Sequence, residues 1–171
     1  PMVTESLECV VGDMMDECIG EGMHPEMWDV EGLRKRLKTI FATTWSDSDN
    51  EIRDESRTAI QQRLHEEASA MVEEKVEEMG QELFDSIARM LLLQLTDKLW
   101  KDHLLAIDRL RQGVGLRGYG QRNPLLEYKR EAYHMFVMMA AIRDERLISG
   151  LLSYDPEAAQ APPATRPAPA I

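Results

Sequence analysis

Cysteine is scarce in this chain of 171 residues, and the two that occur, Cys9 and Cys18, are badly placed to pair. Both fall within one predicted helix, where a nine-residue separation puts two side chains on opposite faces. The four histidines are scattered, and no cysteine or histidine spacing suits zinc. These scarcities exclude a disulfide-stapled fold and a zinc site, and we expect a reduced, intracellular protein.

Long apolar runs and nucleotide-binding motifs are also missing. The longest run, MLLLQL, is far shorter than the ~20 residues that a membrane span needs, and no signal peptide is recognisable. The P-loop pattern is absent, so we expect this chain to bind no cofactor and to catalyse no ATP hydrolysis by itself. Gly113 to Gly118 satisfy G-x-G-x-x-G, but a long amphipathic helix precedes them where a dinucleotide site needs a strand.

Basic residues are few over most of the chain, and the net charge is −11. This balance argues against general binding to nucleic acid or to anionic lipid, which both require a basic surface. The distribution is uneven, because residues 1–97 carry 9 basic and 23 acidic side chains, whereas residues 98–131 carry 8 basic and 4 acidic ones. The sequence therefore predicts a basic island on an acidic body.

Apolar residues at helical spacing predict an all-α fold. A first helix spans about Val3 to Ile19, a second follows Met27 with Asp29 as a possible cap, and a third runs from about Asp54 to Met79. Residues 43–50, TTWSDSDN, are expected to form a polar loop between the second and third helices.

Two long helices follow, one from about Gln81 to Val114 and one from Pro124 to about Ser153, and they predict an antiparallel helical hairpin. We expect residues 90–95 to be buried on several sides because they are apolar nearly all round. The seam between the two helices is predicted to include Leu99, Leu110, Tyr133, Phe136, Val137 and Ala140. The tail from Pro156 is rich in alanine and proline and is expected to be disordered.

The turn of the hairpin is strongly specified. Asn123 followed by Pro124 supplies an N-cap and a first-turn proline for the return helix. A structural loop needs one or two glycines, but here Tyr119 stands between glycines with arginines on both sides, as a large amphipathic side chain on a flexible mount. The turn contains Gly113, Gly115, Gly118, Gly120, Asn123 and Pro124, together with Arg117, Gln121 and Arg122.

Three other features favour a structural interpretation. Trp28 and Trp45 could form a binding pair, but tryptophan at a helix entry more often packs into a core. The glutamates at 73, 74, 77 and 78 could be a metal site, but a solvated helix face is the commoner arrangement. Asp102 and His103 could be an acid and base pair, but neighbours in a helix point in different directions, and packing is expected.

The runs LWKDHL, DRLRQG, LRGYGQRNP and EYKREAYHMF closely resemble the two-helix finger of the preprotein translocase SecA. The resemblance extends from MWDVEGLRKRL to about Ser153, roughly nine tenths of the chain. It implies the end of a scaffold helix in residues 1–22, a helical wing in 23–80, the scaffold helix and two-helix finger in 81–154, and a tail in 155–171. It also implies that the chain is a C-terminal part of a longer protein.

The resemblance carries functional expectations. The full-length family member couples hydrolysis of ATP, with Mg²⁺, to export of unfolded preproteins through the SecYEG channel, at the cytoplasmic face of the cell membrane. By motif match, Tyr119 would contact the translocating polypeptide, with Arg117, Gln121 and Arg122 as weaker candidates. The partners implied are SecYEG, preproteins and the motor domains of the same protein, with no nucleic acid. Gly120 departs from the family, which commonly has a small residue such as alanine there, and the Cys-rich zinc tail of many members is lacking.

An alternative from another functional class stays open at this point. The chain could be a free-standing helical module that binds a protein or an RNA through the basic tip of its hairpin. Motor motifs encoded upstream of residue 1 would favour the translocase, and a start codon there would favour the free-standing module.

Overall fold

The computed structural model of the chain describes residues 2–114 and 123–156, and every regular element in those ranges is helical. The predicted all-α class is therefore confirmed. A short 3-10 helix, Pro25–Met27, lies between the first two α-helices. The α-helices are α1 Met2–Cys18, α2 Val30–Phe41, α3 Asp49–Asp54, α4 Arg57–Met79, α5 Gln81–Val114 and α6 Pro124–Leu152. The predicted tail beyond residue 156 lies outside the described residues.

Side-chain caps fix where the short helices begin. Asp29 caps α2 by accepting a hydrogen bond from the Gly32 N–H at 2.8 Å, as its position predicted. The expected polar loop at 43–50 is wrong at its end, because α3 begins at Asp49. Ser48 and Glu51 form a capping box there, with each side chain accepting from the other residue's backbone N–H. That pattern is legible in the sequence and was the signal for α3.

The larger core joins α1, α2, α3 and α4 and includes Ile148 near the end of α6. Trp28 and Trp45 both lie in it with only 6% of their surface exposed, so the core interpretation of these tryptophans is confirmed. The indole N–H of Trp28 donates to the Met23 carbonyl at 3.2 Å, and that of Trp45 donates to Glu67 at 2.6 Å. Each buried indole thus keeps a hydrogen-bond partner, as a polar group removed from water requires.

A second, smaller core fixes the base of the long helices. It is built where the start of α5 meets the end of α6, and it contains Phe84, Ile87, Ala88, Leu147 and Leu151. Met2 and Val3 of α1 pack against it. This core therefore anchors the two long helices to the first helix of the chain.

The expectation that residues 90–95 are buried on several sides is wrong. Leu93 is 65% exposed and Met90 is 43% exposed, whereas Leu91, Leu92 and Leu95 are partly buried against the smaller core. In this fold α5 packs mainly against α6 and, near its start, against α4, and these neighbours leave Met90 and Leu93 open to solvent. No helix in the described ranges is long and apolar enough to cross a membrane. Cys9 is exposed, Cys18 is buried, and both are free thiols.

Candidate functional site: the helical hairpin

The two long helices, α5 and α6, form an antiparallel pair, here called the hairpin. Near its base, a Cβ added at Gly150 would lie 3.5 Å from Leu91 Cδ1. Farther along, the rings of His103 and Phe136 meet edge to face with centroids 6.1 Å apart. Leu91 thus lies beside Gly150 and His103 beside Phe136, so residue numbers rise along α5 while those of the contacting residues in α6 fall, as they do in an antiparallel pair. At ~1.5 Å per residue, the 34 residues of α5 extend roughly 50 Å.

The described residues reach both sides of the predicted turn but not the turn itself. Gly113 lies in the last turn of α5, where its φ is not left-handed. Asn123 is the N-cap of α6, accepting from the Leu125 N–H at 3.0 Å, and Pro124 is the first helical residue, as predicted. The predicted site residues Tyr119, Arg117, Gln121, Arg122, Gly115, Gly118 and Gly120 all lie outside the described residues.

The predicted seam between the two helices is only partly correct. Leu99 of α5 is buried, Leu110 and Ala140 are half-buried, and Phe136, although 44% exposed, meets His103 of α5 edge to face. The prediction is wrong for Tyr133 and Val137, which are 71% and 44% exposed. The half-buried side chains of α6 in this part are instead Tyr128, Ala132, Met135 and Met139, which recur at helical spacing. A pair of helices can cover only one stripe on each partner, and α6 carries two apolar stripes.

The second stripe of α6 is continuous with a buried one. Its continuation, Leu147 and Leu151, lies in the smaller core at the base. Nearer the turn, this second stripe of α6 and the neighbouring residues of α5 form an apolar surface whose tryptophan, tyrosine and phenylalanine side chains are 44 to 71% exposed. We call this surface the hairpin face and define it as Trp100, His103, Tyr133, Phe136 and Val137.

Charged side chains flank the hairpin face. Lys101 pairs with Asp97 at 2.7 Å, and Arg111 pairs with Asp108 at 3.1 Å, both on exposed turns of α5. Exposed pairs of this kind contribute little to stability, so these residues mainly keep the hairpin polar outside its apolar stripes. Within the described ranges, no three histidine, cysteine or acidic side chains converge as a metal site would require.

His103 packs between aromatic rings rather than acting with Asp102. Its ring centroid lies 5.5 Å from that of Trp100, on the same helix, and it also contacts Phe136 across the hairpin. The packing interpretation of this histidine is therefore confirmed.

A buried polar group at the base of the hairpin was not predicted. Asp144 of α6 is 4% exposed and accepts a hydrogen bond from the Ser6 hydroxyl of α1 at 2.9 Å. The Arg143 guanidinium donates to the same carboxylate at 2.8 to 3.0 Å. Although Cys9 is exposed as a residue, partial desolvation of its thiol, and next the charge of Asp144 nearby, raise the pKa of that thiol. One acidic residue within an apolar stripe was the sequence signal for this contact.

Arg36 of α2 forms a second polar link at the base. Its guanidinium bonds to Glu17 of α1 and to Glu145 of α6, the latter at 3.0 Å. Three helices therefore meet at one arginine. Together, Asp144 and Glu145 connect consecutive positions of α6 to two different helices of the larger core.

Comparison with known proteins places nearly all of this architecture in one family. The family model described as the SecA wing and scaffold domain matches residues 1–155. The chain is 39% identical over 145 residues to the protein translocase subunit SecA of Halothermothrix orenii, covering 85% of this chain and 17% of that protein. It is 37% identical over 144 residues to the SecA subunit of Carboxydothermus hydrogenoformans, covering 84% and 16%. The chain thus spans about one sixth of the length of these relatives.

Proposed function

This chain belongs to the SecA family, matching its wing and scaffold domain, and we propose that it is the part of a preprotein translocase that contacts the transported polypeptide and the membrane channel. The full-length protein would couple ATP hydrolysis to export of unfolded preproteins through SecYEG, at the inner face of the cell membrane. The family match over residues 1–155 is the observation that carries this proposal. The chain would supply mechanical and binding elements, while ATP and Mg²⁺ would be bound by other parts of the protein.

The shape of the hairpin supports a contact role for its tip. Two helices of 34 and 29 residues project from one packed base and converge on the segment that contains Tyr119. An aromatic ring at the end of a long support can contact many side chains by apolar area alone, without demanding a sequence. We propose that Tyr119 contacts the moving polypeptide and that Arg117, Gln121 and Arg122 assist it.

The hairpin face supports a second contact, with the rest of the translocase. Its exposed aromatic and aliphatic side chains form one continuous surface, and monomeric proteins seldom leave such surfaces uncovered. We propose that the motor domains of the same protein cover it, which would let the hairpin restrain the motor. The alternative of a free-standing RNA-binding module finds no support in the family match.

Replacement of Tyr119 in the full-length translocase tests the proposed contact. Tyr119→Ala should leave folding and nucleotide binding unchanged and should reduce preprotein transport at least about tenfold, because a side chain that serves contact rather than core packing adds little to stability. Tyr119→Phe should retain most of the activity because it keeps the ring. Transport of a labelled preprotein into inverted membrane vesicles gives the rate. A photocrosslinker at position 119 should react with a preprotein arrested in the channel.

The control position is Lys101, which is exposed on the same hairpin but lies near the middle of α5. A crosslinker there should not reach the arrested preprotein, and Lys101→Ala should transport at the normal rate. Normal transport by Tyr119→Ala, with no crosslink from position 119, would exclude the proposed role of the tip.

A further inference from the structure

The base of the hairpin contains the single charged residue that is buried in the described part of the chain, Asp144. Removing a carboxylate from water is costly unless hydrogen bonds and opposite charge replace the lost hydration. Here Arg143, its neighbour on α6, neutralises the charge, while Ser6 supplies a hydrogen bond from another helix. Arg143 lies on α6 and would move together with Asp144. Only the hydrogen bond from Ser6 therefore depends on the position of α6 along α1.

The surrounding contacts are apolar and cannot define that position sharply. Ile148, one turn along α6 from Asp144, lies in the larger core together with Leu7, Val10 and Val11 of α1. Aliphatic side chains repeated at helical spacing can exchange partners when one helix moves by a turn, because apolar attraction is not directional. A buried hydrogen-bonded pair is directional, and in coiled coils a single buried polar residue fixes the register.

Displacement by one turn would leave Asp144 without its external partner. The α1 residues one turn from Ser6 are Met2, Val3, Cys9 and Val10, of which only Cys9 carries a donor, a thiol that forms weak hydrogen bonds. The α6 residues one turn from Asp144 are Ala140 and Ile148, which offer Ser6 no acceptor. Either displacement therefore buries a carboxylate without its hydroxyl partner, whichever way the helix moves.

Arg36 also favours the observed position of α6 on the core. Its bond to Glu145 ties the next residue of α6 to α2, while its other arm holds Glu17 at the end of α1. A shift of α6 would have to break the contacts of Asp144 and of Glu145 together. Two adjacent carboxylates thus hold α6 against two helices of the larger core.

We propose that Asp144, bonded to Ser6, is the positioning residue that sets the register of α6 on the core and thereby the placement of the hairpin. The inference concerns how the hairpin is held and does not depend on what its tip contacts. The apolar core stabilises the packing of α6 on the other helices, and the buried polar pair favours one register among several that would bury a similar apolar area.

Distance measurement between spin labels tests this proposal on the whole chain. Labels would be attached at Glu8→Cys on α1 and Lys129→Cys on α6, both exposed, in a Cys9→Ala background that leaves the buried Cys18 in place. The chain with Asp144 should give one narrow distance distribution. Asp144→Leu should remain helical, with its melting temperature within about 5 °C. Its distances should broaden or divide, with components separated by up to ~5 Å, about one helical turn.

Two further variants make the result decisive. Ser6→Ala removes the donor on α1 with little change in volume and should broaden the distribution in the same way, which decides the question if Asp144→Leu fails to fold. Asp97→Leu, the same replacement on an exposed turn of α5, should leave the distribution narrow. A single unchanged distance in a folded Asp144→Leu or Ser6→Ala variant would overturn the proposal and show that apolar packing alone sets the register. Transport is not measured, so the outcome is separate from that of the Tyr119 experiment.

Discussion

At the scale of single residues, Gly80 has the most restrictive backbone conformation in the described part of the chain. Its φ of 81° and ψ of 144° fall in a region that is essentially confined to glycine. The Gly80 N–H closes the last turn of α4 on the Val76 carbonyl, and its own carbonyl accepts from Phe84 in α5. Gly80 therefore ends α4 and precedes α5, the first helix of the hairpin.

Gly80→Ala should destabilise the chain by about 1 to 3 kcal/mol, because a Cβ is unfavourable at this φ and ψ even though no atom lies within 4 Å of it. Gly12→Ala is the matched control, since Gly12 lies inside α1 and its Cβ would also meet nothing within 4 Å. That change should raise stability by roughly 0.5 to 1 kcal/mol through helix propensity. Urea unfolding followed by circular dichroism measures both. Equal effects of the two changes would contradict the backbone argument.

Arg63 organises the polar segment that leads from α2 into α3. It lies over the Trp45 ring at 4.1 Å and pairs with Asp47, Glu55 and Glu67 at 2.8 to 3.2 Å. The hydrogen bond from Arg63 lowers the pKa of the Asp47 carboxyl below its ordinary value. A group whose folded pKa is depressed stabilises the fold above its unfolded pKa and loses that contribution as the pH falls through the folded value.

Arg63→Gln should therefore raise the pKa of Asp47 toward its ordinary range, so that Asp47 contributes less stability above its unfolded pKa and its loss on acidification is complete at a higher pH. Carbon-detected NMR titration of the Asp47 carboxyl measures the shift. Lys75→Gln, which removes a separate pairing with Glu78 on α4, is the control and should leave Asp47 unchanged. An Asp47 titration that is identical with and without Arg63 would show that this arginine does not hold the segment.

At the scale of elements, helical periodicity predicted the bounds of α1, α5 and α6 and the end of α4 closely, because long amphipathic helices carry many repeats of one signal. It failed for α3, which has six residues and too few apolar positions to show a period. It also placed Tyr133 and Val137 in the seam with α5, although both are exposed. Spacing reveals that a helix has an apolar stripe, but it does not reveal which neighbour covers it.

The prediction of site residues followed a similar division. Sequence reasoning located the N-cap Asn123 because capping depends on neighbours in the chain. It missed the contact between Ser6 and Asp144, which joins residues 138 apart in sequence. Contacts of that range depend on how helices dock, and no local rule contains this information.

Substitutions of Leu147 and Leu126 should have very different effects on stability, because one lies in the buried part of α6 and the other in the exposed part. Leu147→Ala should cost about 2 to 5 kcal/mol, because the side chain is fully buried in the smaller core. Leu126→Ala removes the same atoms from a residue that is 64% exposed and should change stability by less than about 0.5 kcal/mol. Chemical unfolding of the two variants provides the comparison. A large cost at Leu126 would mean that the outer hairpin is packed more fully than its exposure indicates.

At the scale of the whole molecule, charge and architecture divide in the same place. The 97 residues before the outer hairpin carry a large acidic excess, whereas residues 98–131 are net basic. The acidic part coincides with the two packed cores and the start of α5, and the basic part with the outer halves of α5 and α6. The hairpin end is therefore the part of the chain whose charge favours contact with an acidic surface.

The chain of 171 residues should bind no ATP, since it contains no P-loop pattern to surround the phosphates. Isothermal titration with Mg-ATP should give heats no larger than dilution, and no phosphate should be released on incubation. A full-length SecA protein is the positive control for both measurements. Micromolar binding of ATP to this chain would contradict the assignment of nucleotide chemistry to other parts of the translocase.

The distribution of burial along the hairpin has a mechanical consequence. Between residues 100 and 143, none of the described side chains is buried, whereas the base is held by Leu147, Leu151 and the contacts of Asp144. The hairpin can therefore be treated as a lever that is held at its base and pivots there. Asn123 lies 21 residues from Asp144, an arm of ~31 Å, so a rotation of about 10° at the fulcrum would carry the far end through ~5 Å. Displacements of less than about 1 Å near the base would thus move the far end by a distance as long as an amino-acid side chain.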